Sequence, residues 1–214
     1  MSNFLSSSIG KKVIMSLSGL FLIAFLCVHL TLNLFLILDN SGELFNHGAN
    51  FMATNPVIKI VEPILALGFI IHIIWASVLT LQNQKARPVK YAQRNQGQNA
   101  TWASRIIHLY NFWWNIKITG NLAHVVIDGV EMEDTYLLVS SLFKSSIAYC
   151  ALYIIGAILL GLHLTHGFWS AFQSIGFSKQ IWRKRLECLA RILAVIIAVG
   201  FSIIPLYFLA GLGN

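Results

Sequence analysis

The chain has 214 residues, of which 57% are hydrophobic and 11% charged, and its mean hydropathy is +0.70. A soluble domain carries about a quarter charged residues, so this composition excludes one and points to a polytopic membrane protein. The net charge of +7 does not indicate nucleic acid, because the basic residues sit in short segments between long apolar blocks.

Residues 1–12 form a polar lead ending in Lys11-Lys12, and an apolar run from Val13 to Leu38 follows. Its 26 residues exceed the core of a signal peptide, so a retained spanning helix carrying His29 is predicted. Asp39 to Asn55 reads as a loop closed by Pro56. The second run, Val57 to about Leu81, has Lys59 and Glu62 near its start and His72 further in. Gly68 and Ala76 lie four residues to either side of His72, which gives a small-residue face around the imidazole.

Residues 82–105 are polar and basic and read as a loop. Ile106 to Ile116, with His108, Phe112, Trp113 and Trp114, amounts to only ~16 Å of helix against a hydrocarbon core of ~30 Å. Counted that way, it falls short of a crossing. Gly120 to Lys144 is polar and acidic. The fourth run is Ser145 to Ser174, and the last, about Leu189 to Leu212, contains Pro205, a predicted kink. Cys27, Cys150 and Cys188 form no Cys-x-x-Cys pattern, which argues against a disulfide framework or a c-type haem attachment. They read as small apolar fillers.

The fourth run holds Gly161-Leu162-His163-Leu164-Thr165-His166-Gly167-Phe168-Trp169. A histidine deep in a hydrocarbon-length helix is costly without a partner and marks a functional position. Gly167, four residues on, and Gly156, seven back, share its side of the helix. A flat ligand such as a b-type haem can lie on that bare face, with the neutral imidazole as an iron ligand. The alternative is a histidine hydrogen-bonded to a neighbouring helix, with glycines that only permit close packing.

Depth follows from the rise of ~1.5 Å per residue. His72 and His163 lie ~15 and ~16 Å from the inner ends of their helices, level enough to share one iron. His29 lies ~26 Å from the inner lysines. Three residues past Arg105, His108 is predicted to lie too shallow to meet it. His166 reads as a hydrogen-bonding group, and His47 and His124 fall in polar stretches.

Charge bears on topology. With five crossings and the N-terminus inside, twelve of the fifteen basic residues face the cytoplasm. If the third segment does not cross, the split falls to nine against six. The loops therefore predict five helices.

Several motifs together carry a family resemblance: Ser8-Ile9-Gly10-Lys11-Lys12, Ser18-Gly19-Leu20-Phe21 through Val28-His29-Leu30, and His72-Ile73-Ile74. Leu79-Thr80-Leu81-Gln82-Asn83 with Ala86-Arg87, Trp102-Ala103-Ser104, His108-Leu109-Tyr110-Asn111-Phe112-Trp113, and Gly161-Leu162-His163 with His166-Gly167-Phe168 add to it. Over nearly its whole length the chain resembles the five-helix, di-haem cytochrome b membrane anchor of succinate:quinone oxidoreductases (succinate dehydrogenase or fumarate reductase) of the Bacteroidetes-like form.

The resemblance implies a proximal haem b on His72 and His163 and a distal haem on His29 and His108; the small-residue faces read from spacing put Gly68, Gly156 and Gly167 against the cofactors. It implies a flavoprotein and an iron–sulfur partner at the cytoplasmic face, and a membrane quinone, menaquinone by resemblance, as electron donor or acceptor. The setting is the bacterial inner membrane. The fold class expected is an all-α five-helix transmembrane bundle whose third helix is truncated. Between Trp-Ala-Ser and His108 stand only Arg105, Ile106 and Ile107, about a dozen residues or ~20 Å fewer than the family pattern. One haem is therefore expected to bind well and the second poorly. No dinucleotide fingerprint or cluster-binding cysteine set is present, so the chain itself is not expected to oxidise succinate. Two rival readings are a cytochrome b of a hydrogenase or formate dehydrogenase and a haem-free anchor or transporter. Glu62 is a candidate for quinone protonation.

Overall fold

The computed structural model describes residues 7–85, 108–120, 122–177 and 179–213. Among the described residues, four helices are long and apolar enough to cross a membrane: α1 (Ser8–Leu38), α3 (Pro56–Lys85), α6 (Ile147–Ser174) and α7 (Gln180–Leu209). Between them lie α2 (Glu43–Thr54), α4 (Leu109–Thr119, wound as a π-helix), the strands β1 (His124–Ile127) and β2 (Val130–Glu133), and α5 (Thr135–Ser145). The protein is an α-helical multi-pass membrane protein with a small β-hairpin at one end.

At ~1.5 Å per residue the four long helices reach well beyond a ~30 Å hydrocarbon core, so their ends enter the headgroup layer. This is why α7 starts at Gln180 rather than near Leu189. Arg183, Lys184 and Arg185 form helix readily, and their long stems let the charges reach polar surroundings. Pro205 lies inside α7, and the helix continues to Leu209. Alternating directions give the bundle a basic end, with Lys11, Lys12, Lys85 and Lys179, and a cap end holding α2, the hairpin and α5.

The tightest pair is α6 with α7. Ala157, Gly161 and Leu164 of α6 are buried, as are Ala190, Ala194 and Ile197 of α7. A methyl group added at Gly161 would sit 2.9 Å from both the Ala194 carbonyl oxygen and the Ala198 Cβ. Lipid offers no hydrophobic reward for burying leucine, so helices associate where small residues let backbones approach. Leu30 of α1 packs on Gly200 of α7 in the same way. In contrast, α3 lies along α1 and leaves Ile64, Leu67, Ile70 and Ile74 exposed, as a lipid-facing helix should.

The cap end differs from the loop expected over 39–55, and the polar, acidic stretch 120–144 supplies the hairpin and most of α5. Asp39 accepts hydrogen bonds from the Leu44 N–H (2.9 Å), the Ser41 N–H (2.9 Å) and the Ser41 hydroxyl, which fixes the turn into α2. Those donors, Leu44 foremost, hold its carboxyl below the usual carboxylate range. The buried Asn46 donates to Asp134 (3.0 Å) and accepts from Thr135 Oγ1 (3.0 Å) and the Tyr136 N–H (2.8 Å), tying α2 to α5. Asp128-Gly129 supplies the two positive-φ residues of a tight hairpin turn, φ 53° and 77°. Tyr136, Phe143, Leu36 and Phe208 form one core beneath this cap. Tyr207 OH donates to Asn40 beside it.

Candidate functional site

Two histidine pairs cross the bundle. The imidazoles of His72 on α3 and His163 on α6 have ring centroids 6.4 Å apart and planes at 89°. Those of His29 on α1 and His108, just ahead of α4, lie 5.9 Å apart, also at 89°. Two imidazoles ligating one metal atom from opposite sides, with bonds of ~2.0–2.1 Å and a ring radius of ~1.15 Å, would have centroids ~6.3–6.5 Å apart. Both pairs sit near that spacing.

Each pair joins elements whose main packing partners lie elsewhere. While α3 leans on α1 and α2, α6 packs on α7, α1 and α5, so His72 and His163 span the interval between α3 and α6. Similarly, α4 meets the bundle through side chains: His108 on His29, Phe112 on Phe143 and Tyr153, and Lys117 on Glu62.

His72 is held from behind by α1. Its Nδ1 lies 3.1 Å from Ser18 Oγ, and Ser18 Oγ also donates to the Met15 carbonyl at 3.1 Å. A hydroxyl has one proton and a carbonyl only accepts, so both bonds form together only if His72 Nδ1 is the donor. Nε2 is then the unprotonated nitrogen, the state a metal ligand requires. A Cβ at Gly19 would come within 3.2 Å of His72 Cε1, so this glycine sets how closely the ring lies against α1.

His29 is stacked on Phe25 (5.1 Å, 22°) and flanked by Phe201 of α7 at 5.7 Å. His108 meets the edges of Phe112 and Tyr153. Beside this second pair lie two buried polar groups, the Asn111 amide and the Tyr153 hydroxyl.

The approach of His108 to His29 corrects the expectation that it lies too shallow. That estimate took Arg105 as the membrane boundary. In the fold, α4 runs from His108 in mid-bundle towards the cap end, where Lys117 Nζ reaches Glu62 Oε2 at 3.0 Å and Trp113 Nε1 reaches Glu62 Oε1 at 3.4 Å. The described part of this segment therefore occupies only the cap half of the bundle. Residues 101–107 of the predicted third span, with the motif Trp102-Ala103-Ser104, lie outside the described residues.

Of the glycines expected at the cofactors, Gly167 lies under the His163 ring, with its added Cβ 3.7 Å from Nε2. A Cβ added at Gly68 would meet the Phe21 ring of α1 at 3.3 Å. Gly156 is partly buried on α6. His166 meets the edge of Trp169 at 5.4 Å, and His47 lies 3.4 Å from Asp128 at the hairpin tip. Sequence reasoning missed Ser18 and Lys117. For Lys117 a signal existed: Glu62 and Lys117 are opposite charges, each placed near the cap end of an apolar run.

Comparison with protein-family models, with curated proteins and with solved structures returned no match.

Proposed function

We propose that this chain is the di-haem cytochrome b anchor of a succinate:quinone oxidoreductase, carrying electrons between an iron–sulfur partner and a membrane quinone. In this reading the bundle has five spans, with α4 as the cap half of the third. The basic end faces the cytoplasm and the cap faces outward, in accord with the twelve-to-three distribution of basic residues.

The observation that carries the reading is the pair of histidine contacts, 6.4 and 5.9 Å between centroids, which link α1, α3, α6 and the segment leading into α4. Each pair supplies two nitrogen donors, whereas an all-protein zinc site uses three or four. A porphyrin brings the remaining four donors itself, so bis-imidazole pairs across helix gaps fit a b-type haem. The aromatic walls at His29 and His108 and the glycine beneath His163 fit a flat cofactor. When bound, the haem supplies a reversible one-electron couple. The protein's part is to ligate it, fix the His72 tautomer through Ser18, and keep water away with the apolar faces of four helices.

The test is purification of the tagged chain from its native membrane. The expected result is a reduced-minus-oxidised spectrum of b type and co-purification of a flavoprotein and an iron–sulfur protein. A b-type spectrum with hydrogenase or formate dehydrogenase subunits would assign another respiratory complex. A preparation with no haem would overturn the reading.

A further inference from the structure

Between α1, α3 and α6 at the basic end lies a cavity of about 660 Å³, lined by Lys12, Leu79, His166, Ser170, Gln173 and Ser174. It begins one turn from His163, since His166, Ser170 and Gln173 follow at the i+3, i+7 and i+10 positions of the same helix face. In the opposite direction, α6 is apolar from Leu162 back to Ile154. Among the described residues of this lining, Lys12 is the cation and none is a carboxylate.

We propose that this cavity seats the two carboxylates of the haem held by His72 and His163, with Lys12 as their counter-charge; the proposal rests on the haem reading above. A b-type haem carries both carboxylates on one edge. Charged oxygens in hydrocarbon are costly, so that edge must turn towards the polar stretch of the surrounding helices. The face of α6 offers such a stretch only towards the basic end. Ser170 and Ser174 already donate to the carbonyls of Gly167 and Ser170, at 3.0 Å each. Their oxygens can accept in turn, and either hydroxyl can swing to donate to a carboxylate. Lys12 reaches the cavity from the first turns of α1, whose next turns hold Ser18 and Gly19 against His72. One helix thus positions both the ligand and the counter-charge.

The test is a potentiometric titration of the purified complex, with haem content measured alongside. Removing one positive charge ~12 Å from the iron, at an effective dielectric of ~20, shifts the reduction equilibrium about tenfold. Lys12→Met is expected to keep two haems and shift one of them about tenfold towards the oxidised form, or 59 mV for one electron. Lys12→Arg should leave both where they were. Gln173→Lys, which adds a cation to the same cavity, should shift that haem the other way, and it decides the matter if Lys12→Met loses haem. Either charge variant holding two haems with both potentials unmoved overturns the proposal. Loss of bound anionic phospholipid from Lys12→Met with unmoved potentials overturns it too, and assigns the cavity to a lipid headgroup. Absence of haem from the unmodified protein would refute the functional reading itself, a separate outcome.

Discussion

Ser18 Oγ, on α1, contacts Nδ1 of His72, on α3, at 3.1 Å, and when the hydroxyl donates to the Met15 carbonyl the imidazole is the donor to it. One hydroxyl therefore fixes both the orientation and the tautomer of a candidate ligand. Ser18→Ala is expected to weaken cofactor retention at this pair by about 10–100-fold, the usual effect of removing a partner that orients a metal-binding histidine. Ser18→Thr should retain most of it. Haem retained through serial detergent washes, compared across the three proteins, is the measurement.

Gly161 tests the packing that holds α6 in place. With the Ala194 carbonyl and the Ala198 methyl 2.9 Å from an added Cβ, Gly161→Val forces α6 and α7 apart. The expected cost is about 1–3 kcal/mol, typical of overpacking at a close contact. A lowered thermal midpoint in detergent would register it. By comparison, Gly129→Ala at the hairpin tip has no neighbour within 4 Å, and its strain comes from φ 77° alone.

Glu62 and Lys117 form a half-buried pair, 34% exposed on each side, between α3 and α4. Removing one partner strands a charge in the cap half of the bundle, so Glu62→Gln and Lys117→Met should each destabilise the docking of α4. The double variant should be less damaged than the sum, with a coupling of about 0.5–3 kcal/mol. A double-mutant cycle on unfolding in detergent measures it, and additivity would show that the pair does not hold α4.

Asp39 gives a pH dependence of known sign. Its folded pKa lies below the unfolded value because the Leu44 N–H, and then Ser41, stabilise the carboxylate. Its contribution to the α1–α2 turn is thus present in full above the ordinary carboxylate pKa. It is lost as pH falls through the depressed value. Hydrogen exchange at the Leu44 amide should stay protected down to the acid edge of the carboxylate range, and Asp39→Ala should abolish that protection at neutral pH.

What the sequence made legible depended on how each position was referenced. The four long helices were readable from the length of their apolar runs. The meeting of His72 and His163 was readable too, because each was counted from the inner end of its own helix. His108 was counted from Arg105, a residue with no established depth, so the count placed it too shallow for His29, and only the family resemblance paired the two. The hairpin had a sufficient local signal in Asp128-Gly129 between Val125-Val126-Ile127 and Val130, and the acidic character of the stretch obscured it. The turn into α2 was written in Asp39, Ser41 and Glu43, but read as a loop. Contacts such as Ser18 to His72 or Lys117 to Glu62 depend on the rotation of one helix against another, which no single segment encodes.

The central claim, two bis-histidine haem sites per chain, is tested most directly by haem per polypeptide in the pyridine haemochromogen assay. The account predicts two for the unmodified chain. It predicts one each for His72→Ala, His163→Ala, His29→Ala and His108→Ala, and none for His72→Ala with His108→Ala. Two haems persisting in His108→Ala would contradict the second site, and haem undiminished in the double variant would contradict both.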